Sequence, residues 1–138
     1  MSEPFFSEEF SSDFESMATV LERVLAALRL RLGLEGAAAS RIRLCIEEAL
    51  VNAIRHGNHS DPGRSVRISA MEEHGWCSVQ VCDEGRGFCP GRITVPNADR
   101  LGGRGLCLIR HYMDDVEFLP DEGCLIMRFR SDGLKEGA

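Results

Sequence analysis

At 138 residues, with 43% apolar and 28% charged side chains, the chain has the length and composition of one domain, residues 1–138, with a core of its own from about 10 to 130. The formal charge of −6, from 22 acidic against 16 basic residues, provides no global positive field for nucleic acid or an anionic membrane, so any phosphate binding has to be local. No apolar run approaches the ~20 residues of a membrane helix. The six cysteines include no Cys-x-x-Cys pair and follow no secretory segment, which predicts a cytoplasmic protein whose thiols stay reduced and pack as small hydrophobes.

Pro4-Phe5-Phe6 to Phe10 reads as a short edge strand. Ser12-Asp13-Phe14-Glu15 has the form of a capping box, serine followed three residues later by glutamate, and predicts a helix start there. Met17, Val20, Leu21, Val24, Leu25 and Leu28 recur at helical spacing until Gly33 and Gly36 interrupt them. A second helix is expected from the Ala37-Ala38-Ala39 region to about His56, with Ile42, Cys45, Ile46, Ala49, Leu50, Ala53 and Ile54 as its apolar stripe, and Gly57 ends it. After the Asp61-Pro62-Gly63 turn the period falls from 3.6 to 2. Val66, Ile68 and Ala70 alternate with polar residues, as do Cys77, Val79 and Val81 beyond a His74-Gly75 hairpin turn. A helix from about Gly103 to Met113 and two strands, around Val116–Phe118 and Cys124–Phe129, joined by Pro120-Asp121-Glu122-Gly123, complete the chain. This grouping predicts an α+β two-layer sandwich, its helices on one face of a mostly antiparallel sheet.

Three constellations carry chemistry. Glu48 and Asn52, four residues apart, lie on one helical face. Asparagine offers a neutral oxygen suited to Mg2+, and glutamate offers a base, although the same pair also fits a solvated helix face. Glu47, rotated off that face, is expected to point to solvent. Asp83-Glu84-Gly85-Arg86-Gly87 follows a strand; its aspartate suits the amino group of adenine while Gly85 and Gly87 admit close backbone approach, and ordinary turn chemistry looks alike. Gly102-Gly103-Arg104-Gly105, opening the run from Leu106, forms either a phosphate nest at a helix start or a flexible entry to that helix. In this order the three make a nucleotide site.

All three in this order resemble the ATPase fold shared by gyrase and histidine kinases, the GHKL or Bergerat superfamily. With their flanks, from Glu48 to Asn58, from Asp83 to Phe88, and from Gly102 to Leu106 followed by Met113-Asp114-Asp115-Val116, they are similar to the anti-sigma factor serine kinases over about residues 10 to 130. The resemblance implies that Glu48 is the catalytic base acting on a serine of a STAS-domain anti-anti-sigma protein, and that Asn52 is the Mg2+ ligand. It implies that Asp83 reads adenine, with Gly85 and Gly87 as one glycine box of the ATP site. Gly102, Gly103, Arg104, Gly105 and Leu106 then form the second box, around the phosphates. Cys89 to Leu101 would be a short lid in which Arg92 or Arg100 reaches a phosphate or the partner. A sigma factor as second partner and a homodimer are further implications. The rival readings are a detached histidine-kinase catalytic domain, a nucleotide-binding sequestering module, a STAS kinase in a circuit without a sigma factor, and an interaction protein without nucleotide. His56, His59 and His111 are taken as structural or surface residues.

Overall fold

The computed structural model describes residues 3–85 and 104–131. Its elements, in chain order, are β1 (Phe6–Ser11), α1 (Phe14–Leu32), α2 (Gly36–Asn52), a π-helical segment (Ala53–Gly57), β2 (Ser65–Glu73), β3 (Trp76–Cys82), α3 (Arg104–Tyr112), β4 (Asp115–Leu119) and β5 (Cys124–Arg130). The strands lie in the order β1-β2-β3-β5-β4, and every pairing among the described residues is antiparallel. This is the expected α+β architecture of the GHKL type.

The period-2 pattern explains the two layers. Register pairs Ile68 with Val81, Val79 with Met127 and Phe118 with Leu125, so the apolar members of all these strands share one face. Val24 and Leu28 of α1, Ile42, Ile46 and Leu50 of α2, and Ile109 of α3 join Val79, Met127 and Phe129 in a single buried cluster. Each such side chain contributes roughly 1.5–3 kcal/mol by leaving water. Truncating Leu28 or Leu50, both at 0% exposure, to alanine is expected to cost about 2–5 kcal/mol once the cavity is included.

Two expectations are corrected. The cap of α1 is Asp13, whose carboxylate accepts the Ser16 N–H at 2.7 Å, while the Ser12 hydroxyl is buried with no hydrogen-bond partner among the described residues. Aspartate one position later places its oxygen against the free N–H groups of the first turn and adds a favourable charge at the positive helix end. The cysteines are not all thiols. Cys82 and Cys124 face each other across β3 and β5 and are joined by a disulfide, whereas Cys45 and Cys77 are free and buried, as predicted for small hydrophobes. Burial pushes both of these thiols up to about 12.

Candidate functional site

The site is built where α2 ends. Ala53–Gly57 continues the helix in π form: the Asn58 N–H donates to the Ala53 carbonyl at 2.8 Å, one residue further back than an α-helix allows. His59 and Ser60 then adopt left-handed backbone conformations, φ 53° and 57°, which carry a cost for non-glycine residues. Asn58, 0% exposed, closes this corner. Its carboxamide N–H donates to the Ser65 carbonyl at 2.9 Å and its carboxamide oxygen accepts the Glu84 N–H at 2.8 Å.

Opposite the corner, β3 delivers Asp83 to the helix-covered side of the sheet. The Asp83 N–H donates to the Gly123 carbonyl at 2.9 Å, and its carboxylate accepts the Gly85 N–H at 2.6 Å. Gly57 and Gly123 leave room for that carboxyl: a Cβ on Gly57 would overlap it, and one on Gly123, whose φ is +66°, would lie 2.9 Å from it. Burial holds the Asp83 carboxyl up at about 6, against the lowering effects of the Gly85 N–H and the positive charges of Arg64 and His59. A carboxylate with a perturbed pKa in a cleft marks a functional candidate.

Asp83 and Asn52 line one cleft of about 400 Å³ with Ala49, Ala53, Gly57, Val81, Leu106, Phe118, Gly123 and Leu125. A larger hollow of about 850 Å³ lies on the uncovered face of the sheet beside Trp76 and Arg128. Volume does not select the site; the convergence of Asn52, Asp83 and the bare glycine backbone does. Glu48 is half-buried one turn before Asn52 but is not among the residues lining this cleft. Its charge is felt by the buried Cys45 thiol. Glu47, expected to point to solvent, is half-buried as well.

Of the remaining expected site residues, Gly85 is placed by its N–H to Asp83 and Leu106 by its position in the cleft wall. The backbones of Arg104 and Gly105 open α3. Gly87, Gly102, Gly103, the Arg104 side chain and the segment holding Arg92 and Arg100 lie outside the described residues. His56 is half-buried, and burial with the neighbouring Arg55 and His59 charges favours its neutral form. The residues that sequence reasoning missed are Gly57, Asn58 and Gly123. Gly57 and Gly123 were legible only as a helix stop and a turn, because contact with Asp83 requires the fold.

The family model described as histidine kinase-like ATPase domain matches residues 10–129. The chain belongs to this ATPase family. An ATPase domain implies ATP binding. The anti-sigma F factor of Geobacillus thermodenitrificans is 34% identical over 84 residues, covering 56% of this chain and 57% of that protein. The anti-sigma F factor of Bacillus cytotoxicus is 31% identical over 90 residues, covering 60% and 61%. That of Heyndrickxia coagulans is 35% identical over 80 residues, covering 52% and 54%. The matched region therefore spans little more than half the length of these relatives.

For this ATPase domain, Mg2+ fits the donor set. The ion prefers oxygen ligands, keeps several waters and shares its remaining positions with phosphates. Asn52 brings one neutral oxygen donor to the cleft, and no cluster of three or more His, Cys, Asp or Glu capable of caging a metal occurs among the described residues. A single neutral oxygen suits an ion whose remaining positions are filled by waters and phosphates. No helix among the described residues is long and apolar enough to cross a membrane.

Proposed function

We propose that the domain is an ATP-dependent serine protein kinase that phosphorylates a STAS-domain anti-anti-sigma protein and binds a sigma factor in a partner-switching circuit. The observation that carries the nucleotide part is the convergence of Asn52 and Asp83 on one cleft walled by bare glycine backbone. The partners are supported by the relatives' name, anti-sigma F factor.

Asp83 would accept the exocyclic amino group of adenine, with Gly57 and Gly123 keeping the approach open. Asn52 would hold Mg2+ against the phosphates, and the ion would supply neutralisation of their charge. Glu48 would orient the serine hydroxyl and take its proton. As the serine oxygen bonds to the γ-phosphorus, the bond from that phosphorus to the β,γ-bridging oxygen breaks and ADP leaves. The second glycine box, residues 102–105, would bind the phosphates. Release of the product follows from charge: a phosphoserine brings about −1.5 to −2 to a contact shaped for a neutral hydroxyl.

The test is labelled-phosphate transfer from ATP to a cognate STAS protein. Glu48→Gln is expected to retain ATP and partner binding and to slow transfer by roughly 10²–10⁴-fold, the usual contribution of a positioned base. Glu47→Gln, rotated by ~100° on α2, serves as control. Undiminished transfer in Glu48→Gln, or an equal defect in both, overturns the role. The position of Glu48 outside the cleft lining favours one second reading, a nucleotide-dependent module that sequesters its partner without phosphorylating it. Wild-type protein that binds ATP and partner but transfers no phosphate would establish that reading. A homodimer through α1 is part of the proposal, supported by Leu30, which is 90% exposed on that helix. Light scattering should give a mass near twice 15.3 kDa, and a clean monomer at micromolar concentration contradicts it.

A further inference from the structure

Asn58 is a polar side chain at 0% exposure that the proposed chemistry does not use. A buried carboxamide is retained at low cost only where both ends are satisfied, and here they are satisfied by two different segments of main chain. The donor end holds the Ser65 carbonyl at the start of β2, and the acceptor end holds the Glu84 N–H immediately beyond β3. The Asn58 backbone is fixed as well: its N–H closes the π segment on Ala53, and its carbonyl accepts the Asp61 N–H at 3.0 Å. The Glu84 carboxylate returns to the Ser65 N–H, so residues 58, 65 and 84 form a closed triangle.

Asp83 sits inside that triangle's reach. On one side its own N–H is held by Gly123, and on the other the next peptide N–H is held by Asn58. Its carboxyl lies directly against Gly57, the residue before Asn58. One residue thus ties the end of the helix that carries Asn52 to the strand end that carries Asp83.

We propose that Asn58 is the positioning residue of the base-reading corner, its buried carboxamide fixing the main chain at Glu84 and so the aim of the Asp83 carboxylate toward the cleft. The inference rests on the reading of that cleft as an adenine site. Asn58 contributes to base selectivity without touching the nucleotide. A carboxylate that drifts by a fraction of an ångström still fills the corner but no longer discriminates an amino group from a carbonyl oxygen at the same edge of a purine.

The experiment compares ATP with GTP affinity in the full chain, together with amide hydrogen exchange at Glu84. In wild type, the Glu84 amide should be protected although its side chain is exposed. Asn58→Ala, which removes both ends of the tether, should lower the ATP-to-GTP affinity ratio by about tenfold or more and lose that protection. Asn58→Asp keeps an oxygen acceptor for Glu84 while losing the donor to Ser65, so it should hold selectivity and protection closer to wild type than alanine does, even with a lower melting temperature. A residue that merely stabilised the fold would lower both nucleotide affinities together. A folded Asn58→Ala with the wild-type ratio, or an unprotected Glu84 amide in wild type, overturns the inference. If Asn58→Ala does not fold, the aspartate variant decides: selectivity lost in it despite a protected Glu84 amide also overturns the inference. Wild-type protein that binds GTP as well as ATP refutes the adenine reading itself, and is thereby distinguished from failure of the Asn58 role.

Discussion

Replacing Asp83 with asparagine should make the nucleotide-free domain more stable while weakening ATP. Burial raises this carboxyl from 3.8 to about 6, so between those values the folded chain binds a proton that the unfolded chain has released. Stability therefore falls as pH rises through that window, and the penalty is complete above pH 6 or so. A displacement of about two pKa units, at about 1.36 kcal/mol each, sets an upper value of about 3 kcal/mol. Asparagine has the same shape, keeps an oxygen for the Gly85 N–H, and carries no charge to desolvate. At pH 7.5 Asp83→Asn should exceed wild type by about 1–3 kcal/mol in urea unfolding, and the two should converge near pH 4. Isothermal titration at pH 7.5 should show ATP affinity reduced at least tenfold with GTP little changed, because the amino group loses its acceptor. Wild-type ATP affinity should itself decline below pH 6, as protonation removes that acceptor. A variant that repeats the wild-type pH profile of stability would refute the claim that Asp83 is the desolvated charge, and equal losses for ATP and GTP would refute its role in reading the base.

Asn52→Ala should abolish Mg2+-dependent ATP binding while leaving the unfolding free energy within about 0.5 kcal/mol of wild type, since Asn52 is half-buried at the cleft wall; wild-type affinity with Mg2+ would remove it from the site. Reduction with excess dithiothreitol should lower guanidinium stability by about 2–4 kcal/mol, because Cys82 and Cys124 close a separation of 42 residues. Two fewer thiols should titrate in the unfolded unreduced protein than in the reduced one, and equal counts would show that the bond does not form.

The elements were legible because period and punctuation agree in this chain. The alternation in Val79–Cys82 is continued by its register with β5, and the glycine in the αL position at Gly33 ends α1 where the helical pattern lapses. The members of the site that depend on tertiary placement were not legible in the same way. Asn52 and Asp83 carry chemical types that announce themselves, whereas Gly57 and Gly123 matter through the side chain they lack, and that shows only once Asp83 is folded against them. The Cys82–Cys124 bond depends on β3 pairing with β5 across an intervening helix and strand, a register no local spacing encodes. The π segment escaped for a related reason: Ala53, Ile54 and Gly57 continue an ordinary helical stripe, and the wider turn arises where Asn58 is drawn toward Ser65 and Glu84.

That wider turn makes the domain respond differently to substitution and to changes in length. Ala53–Gly57 contains one residue more than an α-helix needs to cover the same arc, so a single deletion there would let the hydrogen bonds revert to α spacing. The backbone would lose no helical bond, and everything beyond it, covering the same arc with one residue fewer, would keep its direction relative to α2. Asn52 would keep its place and Gly57 and Asn58 would still meet Asp83, so the two ends of the cleft would stay coupled. Insertions a few residues later, in the exposed Asp61–Gly63 turn, would not be limited to a single residue. Across members of this fold that keep the corner, length from Glu48 to Asn58 should differ by no more than that one residue and be free to vary immediately after it.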